Sequence, residues 1–297
     1  MHFSRSSFFR CIVFSLIVAL TACGGDSGSN GKKSRYVKRG SSAIPSSTSN
    51  VGPAPWAKQL GSAGVYTYEN AVTTDLSGNV YITGTIGRGL DGNRLTGTSD
   101  FFLTKYDPAG TKVFTKQMGV PEVATWGVAV ATDALSNVYV AGTTFGGLDG
   151  NELTGTCDFF LTMYNSAGIK VYTKQMGVPG VATWGLAVAT DRNDNVYVAG
   201  ITFGGLDDKT LTGKSDFFLT KYSATGAKVY TKQMGVAGAD TYGEAVETDE
   251  NGNVFVSGLT SGGLDGNMAV ASWDSFFTKF DKNGNKLFTK QPAVAKH

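Results

Sequence analysis

Few residues in this chain are suited to covalent chemistry. The only histidines, His2 and His297, stand at the extremes of the 297 residues. The body of the sequence therefore lacks the makings of a His-dependent triad or of the usual His-containing zinc site. Glu69, Glu122, Glu152, Glu244 and Glu247 fall in no common column, so no acid–base pair for glycoside hydrolysis stands out. Aspartate does recur. Gly-Leu-Asp-Gly-Asn occupies 89–93, 147–151 and 263–267, and the third copy reads Gly-Leu-Asp-Asp-Lys at 205–209. Asp91, Asn93, Asp149, Asn151, Asp207, Asp265 and Asn267 are the candidate hard-oxygen ligands for Ca²⁺, which takes six to eight of them. Each loop supplies too few, and Lys209 replaces one Asn. A turn is the preferred reading, since Asp and Asn bond the local backbone and Gly takes positive φ. No cofactor is expected, and Ca²⁺ is the alternative.

Aromatic residues offer a second chemistry. Tyr68, Trp126, Trp184 and Tyr242 share one column, 58 residues apart. Such rings stack on sugars, and the neighbouring Asp and Asn could bond hydroxyls. They are the ligand-binding candidates, weighed against plain packing between structural units.

The elements that must carry these residues repeat with the same period. Asn79-Val80-Tyr81 returns at 137, 195 and 253, the last as Asn253-Val254-Phe255. Lys58-Gln59 returns at 116, 174, 232 and 290. A fixed period without gaps indicates an array of supersecondary units. Within one unit, GVAVAT (127–132), VYVAGTT (138–144), DFFLTMY (158–164) and KVYTKQM (170–176) read as short strands bounded by Asp, Asn and Gly turns. The expected fold is all-β, a β-propeller of four 58-residue, four-stranded blades at about 68–118, 126–176, 184–234 and 242–291. WAKQL at 56–60 looks like a fifth outermost strand ahead of the first blade. It would either join the edge of the last blade or mark a ring completed by a second chain, a two-chain eight-bladed ring.

The full pattern, A-V-x-T-D-x₃-N-V-Y-V-x-G followed by D-F-F-L-T-K-Y and G-x-K-V-Y-T-K-Q-M-G, resembles the bacterial SBBP β-propeller repeat family across 56–291. The resemblance implies a propeller and an extracytoplasmic location, and no particular activity.

Ahead of the repeats, Arg5 and Arg10 precede an apolar run, Cys11–Leu20, too short to span a bilayer. Leu20-Thr21-Ala22-Cys23 then resembles a bacterial lipobox, which implies a lipoprotein signal at 1–22 and lipidation at Cys23. Residues 23–54 are rich in Ser and Gly, carry a basic cluster, and read as a flexible tether. The propeller domain is assigned to 55–297. With Cys11 removed and Cys23 acylated, Cys157 alone remains and no intramolecular disulfide can form. Cys157 stands where neighbouring repeats have Ser99 and Ser215 and reads as a replaced serine. Residues 55–297 carry a net charge of about −4, without the basic balance of a nucleic-acid binder.

The expectation is thus a secreted, lipid-anchored binding or scaffold protein of the outer membrane, periplasmic or surface-facing, monomeric or dimeric. It would present repeated loops to a protein or extended ligand, with no nucleic acid. A lectin-like propeller is the alternative, and a carboxylate hydrolase or lyase is the least favoured.

Overall fold

The computed structural model describes residues 56–292. The expected signal 1–22, the lipidation site Cys23 and the tether 23–54 lie outside the described residues.

Each 58-residue unit forms a four-stranded antiparallel meander, paired in chain order. Blade 1 holds β1 (Thr67–Thr74), β2 (Val80–Ile86), β3 (Asp100–Tyr106) and β4 (Lys112–Met118). Blade 2 holds β5 (Thr125–Thr132), β6 (Val138–Thr144), β7 (Asp158–Tyr164) and β8 (Lys170–Met176). Blade 3 holds β9 (Thr183–Thr190), β10 (Val196–Thr202), β11 (Asp216–Tyr222) and β12 (Lys228–Met234). Blade 4 holds β13 (Thr241–Thr248), β14 (Val254–Thr260), β15 (Asp274–Phe280) and β16 (Lys286–Lys290).

Local chemistry closes each hairpin. Asp133 Oδ1 accepts from the backbone N–H groups of Leu135 and Asn137. Its Oδ2 accepts from Asn137 Nδ2 and from the Tyr139 hydroxyl, each at 2.8 Å. A buried carboxylate so fully bonded holds the turn without an unmet polar atom. Further along each unit, Asp158 accepts from the N–H groups of Thr154 and Gly155 and from Gln175 Nε2. It thereby ties the long loop to the start of β7 and to the outermost strand.

The innermost strand carries a bulge, between Gly127 and Ala129 in β5. There Gly142 of β6 lies so close that a Cβ would come within 1.9 Å of the Trp126 carbonyl oxygen. Only glycine allows that approach.

The core lies between blades. In strands β3, β7 and β11 the two phenylalanines point to opposite sheet faces, as period two requires. Phe101 stacks on Phe160 across the first junction at 5.0 Å, Phe159 on Phe218 across the second at 4.9 Å, and Phe217 on Phe276 across the third at 5.2 Å. Burying each ring contributes about 1.5–3 kcal/mol. Threonine hydroxyls lace the inner strands together: Thr132 donates to the Thr74 carbonyl, Thr190 to that of Thr132, and Thr248 to that of Thr190. The inner strands β1, β5, β9 and β13 pack in succession, with no comparable contact between β13 and β1.

One expectation is corrected. Trp56–Leu60 is not a strand. Blade 4 has its own outermost strand, β16, and Trp56–Leu60 forms no ladder with it. The segment packs by side chains on blade 1 instead. The Trp56 ring lies 5.6 Å from that of Tyr106, and Leu60 joins Ile82, Ile86, Leu90 and Phe102.

Candidate ligand-binding face

In each blade two loops share one end of the sheet. They are the β2–β3 type of loop and the loop that enters the next blade. Parallel bridges join them at Ser99–Ala124, Cys157–Ala182 and Ser215–Asp240. Thr98 N–H donates to the Val123 carbonyl and Thr125 N–H to that of Ser99, both at 2.9 Å. Val120 and Val123 pack on Gly146, where a Cβ would approach Val120 to 2.6 Å. The loops therefore form a continuous, hydrogen-bonded layer on one face.

The sequence-expected aromatic column sits in this layer, and every member has an aromatic partner. Trp126 meets Phe145 edge-on at 4.8 Å, and Trp184 meets Phe203 at 5.9 Å. Tyr68 pairs with Tyr66 at 5.2 Å, and Tyr242 with Trp273 at 5.0 Å. Tyr68, Tyr66 and Trp273 are 47, 52 and 41% exposed, whereas Trp126, Trp184 and Tyr242 are half-buried. Trp184 Nε1 also donates to Cys157 Sγ at 3.0 Å. Burial raises the Cys157 thiol pKa, against the lowering effect of the Trp184 contact, and leaves the thiol protonated and unreactive at neutral pH.

The partners Tyr66, Phe145, Phe203 and Trp273 escape a column search because they come from three different repeat positions. Gly87 stands where Phe145 and Phe203 stand in the next blades, and the Tyr66 ring fills the space beside it. Trp273 occupies the column of Ser99, Cys157 and Ser215. One aromatic per repeat, within the loops flanking the known column, is the signal that would have found them.

The Gly-Leu-Asp loops fold onto their own blade. Asp91, Asp149, Asp207 and Asp265 each adopt positive φ, between 52 and 57°. Their carboxylates pair with Lys112, Lys170, Lys228 and Lys286 of the outermost strands. Burial pushes the Asp91 pKa up, but the hydrogen bonds from Lys112 and Thr115 outweigh it and hold the carboxyl below its ordinary value. The Asn93, Asn151 and Asn267 amides donate to the carbonyls of Leu90, Leu148 and Leu264. An ammonium thus stands where a cation would. Among the described residues no group of three or more His, Cys, Asp or Glu could hold a metal.

Glu244 and Glu247 lie on β13. Both reach solvent, yet the sheet beside them partly desolvates their carboxyls and raises their pKa.

The repeat match agrees with the four meanders. Residues 56–87, 113–149, 171–206 and 229–265 match the SBBP beta-propeller repeat. Over 231 residues the chain is 26% identical to the regulatory protein FlaEY of Caulobacter vibrioides, covering 68% of this chain and 24% of that protein. The chain thus spans about a quarter of that relative's length. Among solved structures, a protein of unknown function from Bacteroides caccae is 8% identical with a TM-score of 0.36, covering 78% of this chain and 83% of that one. The β-xylosidase/α-arabinofuranosidase CoXyl43, from a compost microbial metagenome, is 10% identical with a TM-score of 0.36, covering 81 and 96%.

Proposed function

Taking the chain as a run of four SBBP beta-propeller repeats, we propose that it is a lipid-anchored, extracytoplasmic binding scaffold without enzymatic activity. Its ligand is a protein or an extended molecule, engaged by the loop layer. The observation that carries this reading is an aromatic pair at each of four equivalent strand ends on one face. Rigid strands hold these pairs in register, and loops on a rigid scaffold are where binding residues concentrate. Four similar weak contacts add through avidity. The anchor reading rests on Leu20–Cys23 and the preceding apolar run. Among the described residues no helix is long and apolar enough to cross a membrane.

Photo-crosslinking in the native cell tests the assignment. A crosslinker at Tyr68 or Phe145, on the loop face, should capture a discrete partner. The same group at Leu76 or Leu135, in the short turns opposite, should not. Equal capture from both faces would overturn it.

A lectin-like activity is the second reading, favoured by the exposure of Tyr66, Tyr68 and Trp273. The full chain on a glycan array decides it. Binding lost in Trp126→Ala/Trp184→Ala would support a sugar ligand. No binding on any glycan displayed would leave the protein-partner reading alone.

A further inference from the structure

Three blade junctions repeat the same contacts, which defines what each end of the row would need to continue. At a junction, the forward face of one blade meets the backward face of the next. The forward face of blade 3 presents half-buried Leu186 and buried Ala189, Ala199 and Phe217. Fifty-eight residues on, blade 4 has Glu244, Glu247, Ser257 and Ser275 in those places, all exposed. Ser275 thus stands where Phe101, Phe159 and Phe217 each stack on the following blade.

A lysine tells the same story. Lys105 and Lys221 reach forward and donate at 3.0 Å to the turn carbonyls of Ser166 and Lys282 in the next blade. Lys279 is their counterpart in blade 4. It turns back to Asp249 Oδ2 of its own blade, at 3.5 Å, over the Phe255 ring.

The other end is finished by the segment ahead of blade 1. Trp56 lies 58 residues before Phe114, and it does the work of a preceding blade in two ways. Its ring covers Gly110 as Phe114 covers Gly168: a Cβ would meet them at 2.6 and 2.9 Å. Its Nε1 donates to the Pro108 carbonyl at 3.1 Å. That carbonyl is the counterpart of Ser166, which takes a lysine from the blade before. Leu60 then covers Phe102, which is fully buried although among the described residues no blade packs on that side.

We infer that the row is terminated at both ends, by an aromatic plug at Trp56–Leu60 and by the four polar replacements on blade 4, beside which Phe277 and Phe288 meet edge-on, each 37% exposed. These terminators keep the chain a monomer with blades 1 and 4 unjoined, and stop copies from stacking end to end. Polar outer faces on terminal units are what repeat arrays need for solubility. A head-to-tail contact between copies would otherwise propagate, because it is heterologous.

Sedimentation velocity on the full chain tests this. The wild type should be a monomer at every concentration. A variant combining Trp56→Ala with the blade 3 residues at those four positions (Glu244→Leu, Glu247→Ala, Ser257→Ala and Ser275→Phe) should associate as concentration rises. A dimeric or ring-forming wild type would overturn the inference, and so would a variant with wild-type circular dichroism that stays monomeric. Should the variant not fold, carbodiimide labelling of wild-type Glu244 and Glu247 decides. Labelling at the rate of exposed Glu122 is expected, and protection of both would mean that the blade 4 face is covered.

Discussion

The forward faces of blades 2 and 4 derive from the same repeat and meet different fates. On blade 2, Leu161 is fully buried against blade 3, and the Tyr139 hydroxyl bonds Asp133 at 2.8 Å. On blade 4 the same columns hold Phe277, 37% exposed, and Phe255, which has no hydroxyl to give Asp249. The larger apolar side chain thus lies in the wetter place. Repeat position alone does not determine burial; the presence of a following blade does. The comparison also separates two tasks within one fold, since inner blades are built to be covered and the terminal one to be left open.

Substitution can break the comparison where it is strongest. Leu161→Ala should destabilise by about 2–5 kcal/mol, the usual cost of a core cavity. Phe277→Ala, in the same column, should cost under about 1 kcal/mol, as at other poorly buried sites. Urea unfolding followed by tryptophan fluorescence reads both. Equal losses would mean that the blade 4 face is covered after all.

Acid should unpick the turns next. Burial raises the Asp75, Asp91 and Asp207 pKa values, but hydrogen bonds from Asn79 and Tyr81, from Lys112, and from Lys228 respectively outweigh it and leave them lowered. A lowered folded-state pKa contributes stability that is present above the unfolded value of about 3.9 and is lost as pH falls through the folded one. Thermal midpoints should therefore hold steady above about pH 5 and drop below about pH 4. A flat profile to pH 2 would remove these bonds from the account.

A smaller effect sharpens the contrast between Tyr139 and Phe255. Tyr139→Phe should cost about 0.5–1.5 kcal/mol, one buried hydrogen bond. Phe255→Tyr should change little, because its ring lies on the open face under Lys279.

Glu244→Gln and Glu247→Gln should give the smallest change, a slight stabilisation at pH 7. Partial desolvation raises both pKa values in the folded state, so the charged forms cost stability above those values and nothing below the unfolded ones. The gain should vanish below about pH 4 in a melting series. A chelator should leave the wild-type midpoint unmoved, because lysines neutralise the Gly-Leu-Asp carboxylates. A clear drop would reopen the calcium reading.

Much of this was legible beforehand, for local reasons. Asp133 and Asn137 read as a turn because their bonds span only two to four residues. The column of Tyr68, Trp126, Trp184 and Tyr242 was visible because the period places it on equivalent strand ends. Their partners were hidden, because Phe145 and Trp273 fill one kind of space from different loop positions, and packing selects volume rather than column. WAKQL reads as a strand because it copies an outermost strand's sequence, yet it lacks an inner neighbour to pair with.

The sequence by itself determined the period, the four meanders, the turns and the scarcity of catalytic groups. Each of these depends on contacts within one 58-residue unit, or on composition. Only the tertiary structure decided which faces are core, which aromatics meet, and where the row stops. Those outcomes depend on what stands beside a blade. The same lysine reaches across at Lys221 and folds back at Lys279 because only the first has a neighbour.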